Sequence, residues 1–211
     1  KDRSTIISEL KGEIFLNIRE ENVKTNQNLS FKILEKAAKQ EIGIKSLNKD
    51  VLKTLNLYSE TDGYRQVAAL LADENNFPGI DIARFGESIN IILKRITFEC
   101  ESVLEEMEKA VQIFRDFYQY EEIQGITRKR VEKIPEEAFR ETIANAIIHR
   151  TWDVNAHIRV MMYDDRIEIT SPGGLPAGIS KEEYLKGNVS ILRNPILANV
   201  FYRLHVVEIL G

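Results

Sequence analysis

Apolar positions recur at helical spacing through the first third of the chain. The pattern predicts helices over Ile6–Arg19, Phe31–Gln40 and Asn48–Leu55. Each begins beside a residue type that commonly caps helices, namely Ser4, Ser30 and Asn48. Val67–Ala72 is short and apolar throughout, and we interpret it as a further helix.

Alternating apolar and polar positions begin after Pro78-Gly79, which we interpret as a turn. The alternation predicts strands over Ile80–Phe85, Ile89–Phe98, Glu122–Ile134, His157–Tyr163 and Ile167–Thr170. The last two form a hairpin around Asp164-Asp165. Helical spacing returns in a long helix after Ser102 and in Pro135–Arg150, Ser180–Lys186 and Pro195–Leu204.

This order of elements predicts an α+β fold. We expect a helical N-terminal part over residues 1–75, followed by a domain over residues 76–211 whose sheet is covered by helices on one face. The chain begins without a methionine and stops just after a strand-like segment. We therefore expect it to be a piece of a longer protein.

The helix predicted at Pro135–Arg150 has an apolar stripe and a polar stripe on nearly opposite sides. The apolar stripe, which we expect to be buried, consists of Phe139, Ile143 and Ile147. The polar stripe consists of Glu141, Asn145 and His149. A helix that only covers a core more often carries Lys and Glu on its outer side, so this stripe is the strongest functional candidate in the sequence.

Glu141 and Asn145 suit a site that holds a metal ion and a nucleotide. An amide oxygen is a hard ligand that can complete a magnesium shell, and a carboxylate one turn away can accept a proton from water. His149, one turn further, can donate to a phosphate. The alternative is that Asn145 bonds a neighbouring loop while the other two lie at the surface, and spacing alone favours this plainer interpretation.

The stretch from Ser171 to Gly178 (SPGGLPAG) is a second candidate. The adjacent Gly173 and Gly174 allow backbone to approach a phosphate closely. A turn leaving a hairpin explains the same residues. No G-x-x-x-x-G-K-[ST] motif occurs in the chain, so we expect no helicase activity.

Several other polar residues carry weaker signals. Arg193 and Asn194 precede a helix start, which is a favourable position for an anion or an ordinary cap. Arg128, Lys129 and Arg130 lie on a predicted strand and alternate between its faces, so a solvated edge is the better explanation. Cys100 is expected to be buried.

Composition narrows the class of protein. The chain has 211 residues, of which 43% are hydrophobic and 29% charged, as in ordinary globular proteins. Its net charge of −4 argues against a surface that binds nucleic acid throughout. One cysteine permits no internal disulfide, which fits a cytoplasmic protein. No apolar run is long enough for a membrane span, so we expect no membrane contact.

Three segments together resemble a known family. They are EEAFRETIANAIIHRTW, IRVMMYDDRIEITSPGGLP and SILRNPILANVFYRL, followed by VVEILG. They are similar to bacterial transcriptional regulators labelled "RecG-related" or "C-terminal domain of ATP-dependent helicase RecG". The resemblance is strong over residues 135–211 and weaker back to residue 30. The ATPase-like domain of this family is grouped with the GHKL (Bergerat) fold, and an AlbA/Schlafen-like DNA-binding domain usually precedes it.

The resemblance implies roles for particular residues. GHKL enzymes carry a Glu-x-x-x-Asn motif on a helix, which implies that Asn145 holds Mg²⁺ and Glu141 acts as general base. His149, Gly173 and Gly174 would line the ATP phosphates. Arg193 and Asn194 would be secondary phosphate contacts.

The family pattern is incomplete at the next motif. Where GHKL enzymes have Asp-x-Gly-x-Gly, with the Asp on the adenine amino group, this chain has Thr170-Ser171-Pro172-Gly173-Gly174. Thr170 or Ser171 would bond the base more weakly than a carboxylate. The sequence therefore leaves two functions open: a switch that binds ATP and Mg²⁺ with weak ATPase activity, or a structural or dimerisation module with a vestigial pocket. In both, DNA would be bound by domains outside this chain, and a homo-oligomer is compatible with the sequence.

Overall fold

The computed structural model describes residues 27–174, 182 and 192–207. Its helices are α1 (Lys32–Glu41), α2 (Lys49–Thr54), α3 (Gln66–Leu71), α4 (Val103–Tyr118), α5 (Glu136–Ile148) and α6 (Pro195–Arg203). Its strands are β1 (Tyr58–Ser59), β2 (Gly63–Tyr64), β3 (Glu74–Phe85), β4 (Ile92–Glu101), β5 (Gln119–Gln124), β6 (Thr127–Glu132), β7 (Ile158–Met162) and β8 (Ile167–Thr170). The predicted α+β class is confirmed.

A four-stranded mixed sheet forms the centre of the described structure. Its strand order is β4-β3-β7-β8, with β3 antiparallel to β4 but parallel to β7, and β7 antiparallel to β8. Parallel neighbours require a long crossover connection. Here the connection contains β4, α4, the β5–β6 hairpin and α5, and it places α5 beside the end of β8.

One face of this sheet is buried against helices. The side chains on that face include Ile80, Ile82, Ile158, Val160 and Met162, all of which are buried. The intervening residues face the other way: Arg159 is exposed, and Asp81 bonds the exposed Arg95. This alternation follows from the two-residue period of a strand and confirms the expected one-sided cover.

The N-terminal helices share their core with the sheet. Leu34 of α1 and Leu70 of α3 belong to the same buried cluster as Ile82 and Phe114. The boundary expected near residue 75 stays a prediction.

The interpretation of Pro78-Gly79 as a turn was wrong. Both residues lie inside β3, where the pairing with β4 shifts register between Pro78 and Ile80. A Cβ at Gly79 would collide with the carboxylate of Glu106 and with the carbonyl oxygen of Phe98. The glycine therefore serves a close approach at a β-bulge, which the sequence cannot distinguish from a turn.

The single strand predicted over Glu122–Ile134 was also wrong. This region contains the end of β5 and all of β6, an antiparallel pair in which Glu121 faces Arg130 and Glu122 faces Lys129. Gly125 takes the positive φ of +65° that the tight turn requires. The basic residues of β6 are exposed, as expected for a solvated strand.

Two local expectations, the cap at Ser30 and the burial of Cys100, were wrong. Ser30 does not cap α1. Its hydroxyl instead donates to Asp73 (2.5 Å), whose carboxylate accepts from the backbone N–H groups of Lys32 and Ile33 (2.9 and 3.0 Å). Cys100 is exposed, not buried, and has a positive φ of +64° close to the end of β4.

The remaining helices in the described residues, and strands β4, β7 and β8, were predicted close to their observed positions, whereas the short strands β1 and β2 were not predicted. The Asn48 side chain caps α2 by accepting from the N–H of Val51 (3.0 Å). The helices predicted over Ile6–Arg19 and Ser180–Lys186 lie outside the described residues, apart from residue 182. Within the described residues, no helix has the length and apolar character needed to cross a bilayer.

Candidate functional site

Helix α5 turns its polar stripe away from the core, as the sequence predicted. Phe139, Ile143 and Ile147 are buried, whereas Glu141, Asn145 and His149 are only half-buried. Pro135 stands at the N-cap, and Glu136 and Glu137 occupy the first turn, where carboxylates favour the positive end of the helix dipole.

Glu141 and Asn145 contact each other directly. The Asn145 amide nitrogen donates to Glu141 Oε1 at 2.9 Å, one helical turn back. This hydrogen bond orients the amide so that Asn145 Oδ1 points away from the carboxylate, and no side chain or N–H of the described residues donates to it. An oriented amide oxygen at a half-buried position is a suitable ligand for a hard cation such as Mg²⁺.

His149 stands at the C-terminal end of α5. Its backbone N–H donates to the Asn145 carbonyl at 2.9 Å. Burial and, secondarily, the positive charge of Arg193 lower the pKa of the His149 imidazole. The ring is therefore neutral near pH 7 and offers one donor and one acceptor nitrogen.

Hydrogen bonds connect the glycine loop that follows β8 to the end of α5. Ser171 Oγ donates to the Ala146 carbonyl at 2.6 Å, and the Thr151 N–H donates to the Pro172 carbonyl at 2.9 Å. Gly173 has a φ of +133°, and a Cβ there would collide with the side chains of Thr151 and Arg193. The structure thus brings Gly173 and Gly174 close to the C-terminal end of α5.

Arg193 and Asn194 also form hydrogen bonds in this region. The Arg193 guanidinium donates to the Thr151 hydroxyl and to the Gly174 carbonyl. Asn194 is 6% exposed, and its amide nitrogen donates to the carbonyl oxygens of Ile148 (2.6 Å) and Arg150 (2.9 Å) at the end of α5. These bonds give both side chains a structural role. Their role as phosphate contacts stays a prediction.

Thr170 is exposed at the end of β8, opposite Arg159 of β7. The hydroxyl of its neighbour Ser171 is already engaged by Ala146. Of the two residues expected to bond an adenine, Thr170 is therefore the one with an available side chain.

The structure also contains two buried ionisable residues, Arg150 and Glu106, whose burial the sequence did not predict. Arg150 is fully buried and donates to the carbonyls of Gly79 (3.3 Å) and Ala156 (2.5 Å), with its guanidinium 4.3 Å from the Trp152 ring centroid. Glu106 of α4 is also buried, at 2% exposure. An Arg at a helix end is usually a surface cation that favours the helix dipole, so the sequence carries no signal for its burial.

No group of three or more His, Cys, Asp or Glu side chains in the described parts of the chain is arranged to hold a metal by itself. A magnesium ion at Asn145 would therefore need phosphate oxygens and water for most of its shell.

The C-terminal part of the chain is similar to an ATPase-like family. Residues 155–211 match the family model described as "Putative ATP-dependent DNA helicase recG C-terminal". This match covers β7, β8, the glycine loop and α6, whereas α5 with Glu141 and Asn145 lies before it. A search of curated proteins found no significant match.

A solved structure shares the fold. The crystal structure of the DIP2311 protein from Corynebacterium diphtheriae superposes with a TM-score of 0.76 at 23% sequence identity. The alignment covers 99% of this chain and 43% of that one, so the chain spans less than half the length of that protein. At this identity the likeness supports the fold alone.

Proposed function

We propose that this chain is the ATPase-like part of a DNA-binding transcriptional regulator and that it binds ATP with Mg²⁺ as a switch. The observation that carries the proposal is the Glu141–Asn145 hydrogen bond, which orients an amide oxygen on the half-buried polar side of α5. The adjacent residue Ala146 accepts a hydrogen bond from Ser171, at the start of the glycine loop. The family match over residues 155–211 supports an ATPase-like assignment for the loop region.

The residues present fit the phosphate and metal part of this ligand. Asn145 Oδ1 would supply one oxygen to Mg²⁺, and the ion would neutralise charge on the phosphates. The neutral His149 ring would donate to a phosphate oxygen, and the backbone of Gly173 and Gly174 would approach the phosphates closely. Glu141 would fix Asn145 and accept a proton from an attacking water, giving slow hydrolysis.

The base part of the site is weaker than in GHKL enzymes with the full motif. Thr170 would bond the adenine as a neutral hydroxyl where those enzymes use a carboxylate, and neutral hydrogen bonds are weaker than charge-assisted ones. We therefore expect modest discrimination between ATP and GTP.

Nucleotide occupancy would act on DNA binding elsewhere in the protein. With a net charge of −4 this chain is a poor overall DNA surface, so the DNA contacts would belong to domains outside it, in a cytoplasmic protein.

A structural module with a vestigial pocket is the second candidate. The contacts of Arg193 and Asn194 with the end of α5, and the absence of an Asp in Thr170-Ser171-Pro172-Gly173-Gly174, favour it. Both functions use the same fold, so only ligand binding distinguishes them.

Calorimetric titration with ATP, with and without Mg²⁺, tests the proposal. We expect binding that depends on Mg²⁺ and that weakens at least about tenfold in Asn145→Ala, since one good metal ligand or hydrogen bond contributes about 1.5–3 kcal/mol. Glu141→Gln keeps an acceptor for the Asn145 amide but removes the base, so it should bind ATP and lose hydrolysis.

Thr142→Ala is the matched control. Thr142 is exposed on the same helix, and within the described residues its hydroxyl bonds only the Ala138 carbonyl, so its loss should leave ATP affinity unchanged. Equal affinity in wild type and Asn145→Ala would reject the metal role. No heat with any nucleotide would establish the structural module instead.

A further inference from the structure

Strand β4 lies at one end of the four-stranded sheet. In the described residues it pairs with β3 on one side only. Ile92–Glu101 is ten residues long and contains neither proline nor glycine. Its free N–H and C=O groups can bind another strand, while the register shift at Leu93 and the charges of Lys94 and Arg95 restrict which strand can do so.

Exposed apolar side chains gather at the start of this edge. They are Ile89 (67% exposed), Ile91 (48%), Ile92 (56%) and Leu93 (62%). Four consecutive or near-consecutive exposed aliphatic residues are unusual on a monomer surface and typical of an interface.

The faces of β4 restrict how it can pair with a second copy of itself. Ile96 and Phe98 face the core side, opposite Ile82 and Ile80, and both are half-buried. Arg95 and Thr97 face the outer side, where they bond Asp81. A two-fold axis perpendicular to the sheet makes the two copies of β4 antiparallel and places residues of the same face opposite each other. One residue must therefore lie opposite its own copy, and the axis passes midway between the two.

The possible centres differ sharply in chemistry. An axis at Arg95 would place two arginines opposite each other. An axis at Ile96 would place Lys94 opposite Phe98 and Arg95 opposite Thr97 of the second copy, with no pair of opposite charges.

An axis at Thr97 gives favourable pairs over residues 95–99, whereas Lys94 and Leu93 lie opposite Cys100 and Glu101 of the second copy. Arg95 lies opposite Glu99 of the second copy, Ile96 lies opposite Phe98 of the second copy, and Thr97 meets its own equivalent. The two-fold axis generates each of the first two pairs twice. Opposite charges, apolar pairs and Thr–Thr pairs each stabilise neighbouring strands.

We propose that two copies of this chain associate through β4, centred on Thr97, to form one sheet that is continuous across the dimer. The outer face then carries a line of charges in each half, because Asp81 bonds Arg95 and His157 bonds Glu99 within each copy (2.9 Å). On the core side, the pairing of Ile96 with Phe98 of the second copy covers the half-buried edge of the sheet. The inference is independent of whether the chain binds nucleotide.

Disulfide trapping tests the register. In a Cys100→Ser background, Thr97→Cys should form a covalent dimer under mild oxidation, because facing Cα atoms about 4.5–5.5 Å apart lie within disulfide range. Leu93→Cys is the control, since it is also exposed and lies on the same strand. Its two copies would be about 27 Å apart at about 3.4 Å per residue, so it should not cross-link.

Charge exchange tests the contacts. Glu99→Arg should raise the dimer dissociation constant at least about tenfold in analytical ultracentrifugation. The new arginine of each copy would lie opposite Arg95 of the other copy, which gives two repulsive pairs in the interface. Mixing Glu99→Arg with Arg95→Glu should restore a heterodimer, in which every 95–99 pair is again attractive. Thermal melting of each variant shows whether it is folded, which matters for Arg95→Glu because Arg95 also bonds Asp81.

Two results would overturn the proposal. The first is a wild-type protein that sediments as a monomer at about 100 μM, above the dissociation constants of specific dimers with interfaces of standard size. The second is Leu93→Cys cross-linking as fast as Thr97→Cys, which would mean random collision or a different register.

Discussion

At the residue scale, the buried Glu106 is the most unusual group in the described structure. Burial, with a smaller contribution from the charge of Glu101, raises the pKa of the Glu106 carboxyl to about 8, and Arg150 opposes this rise. Burial lowers the pKa of the Arg150 guanidinium to about 10. At pH 7 Glu106 is therefore mostly a neutral acid beside a charged, hydrogen-bonded Arg150.

The stability of the protein should consequently fall as the pH rises from 4.5 to 8. In the unfolded chain Glu106 ionises near its ordinary pKa of 4.5, so within this window the folded state retains a proton that the unfolded state has lost. One such proton corresponds to about 1.4 kcal/mol per pH unit. Urea unfolding at a series of pH values measures the slope, and Glu106→Gln should flatten it.

Glu136 provides the internal comparison at lower pH. Its hydrogen-bonded ion pair with Arg115 lowers the pKa of the Glu136 carboxyl to about 2. The stability from this pair is present above pH 4.5 and is lost as the pH falls toward 2, outside the Glu106 window. A wild-type slope between pH 4.5 and 8 that persists in Glu106→Gln would contradict the assignment to Glu106.

At the element scale, α5 holds the site through its packing on α4. Phe139 is 3% exposed and stacks on Phe114, with ring centroids 4.6 Å apart and planes 14° apart. Any loosening of this contact would also move Glu141 and Asn145, which lie on the opposite side of the same helix.

Phe139→Ala should lower the free energy of unfolding by about 3–5 kcal/mol, since it removes a buried ring and leaves a cavity. Chemical denaturation measures the loss. Thr142→Ala, on the exposed side of the same helix, should change stability by less than about 0.5 kcal/mol. A Phe139→Ala variant as stable as Thr142→Ala would show that α5 does not pack through this face.

At the scale of the whole molecule, one buried cluster extends from α1 to α6. Leu34 of α1 is fully buried in the cluster that also contains Met107, Phe114 and Leu197. A shared core couples the unfolding of the elements that line it.

Leu34→Ala should therefore lower the free energy of unfolding by about 2–5 kcal/mol. The midpoint of the whole unfolding transition should fall, and no second transition should appear. Fluorescence of Trp152, which lies far from α1 in sequence, and far-ultraviolet circular dichroism should report the same midpoint. Two separate midpoints would establish the N-terminal helices as an independent unit, consistent with a boundary near residue 75.

Features that depend on neighbours along the chain could be predicted from the amino-acid sequence. The two stripes of α5 follow from helical periodicity, the β7–β8 hairpin from alternation around a turn, and the cap of α2 from Asn48. These need only local geometry, which is why Glu141, Asn145 and His149 were placed together correctly on the half-exposed side of one helix.

Features whose partner is distant in sequence became visible in the folded structure alone. Asp73 caps α1 from 40 or more residues away, and the reason for a glycine at position 79 is the carboxylate of Glu106. Arg150 is buried because backbone carbonyls of a distant strand and a nearby loop accept its donors. Contacts of this kind arise from the packing of the sheet against α4 and α5, and no spacing within the sequence encodes them.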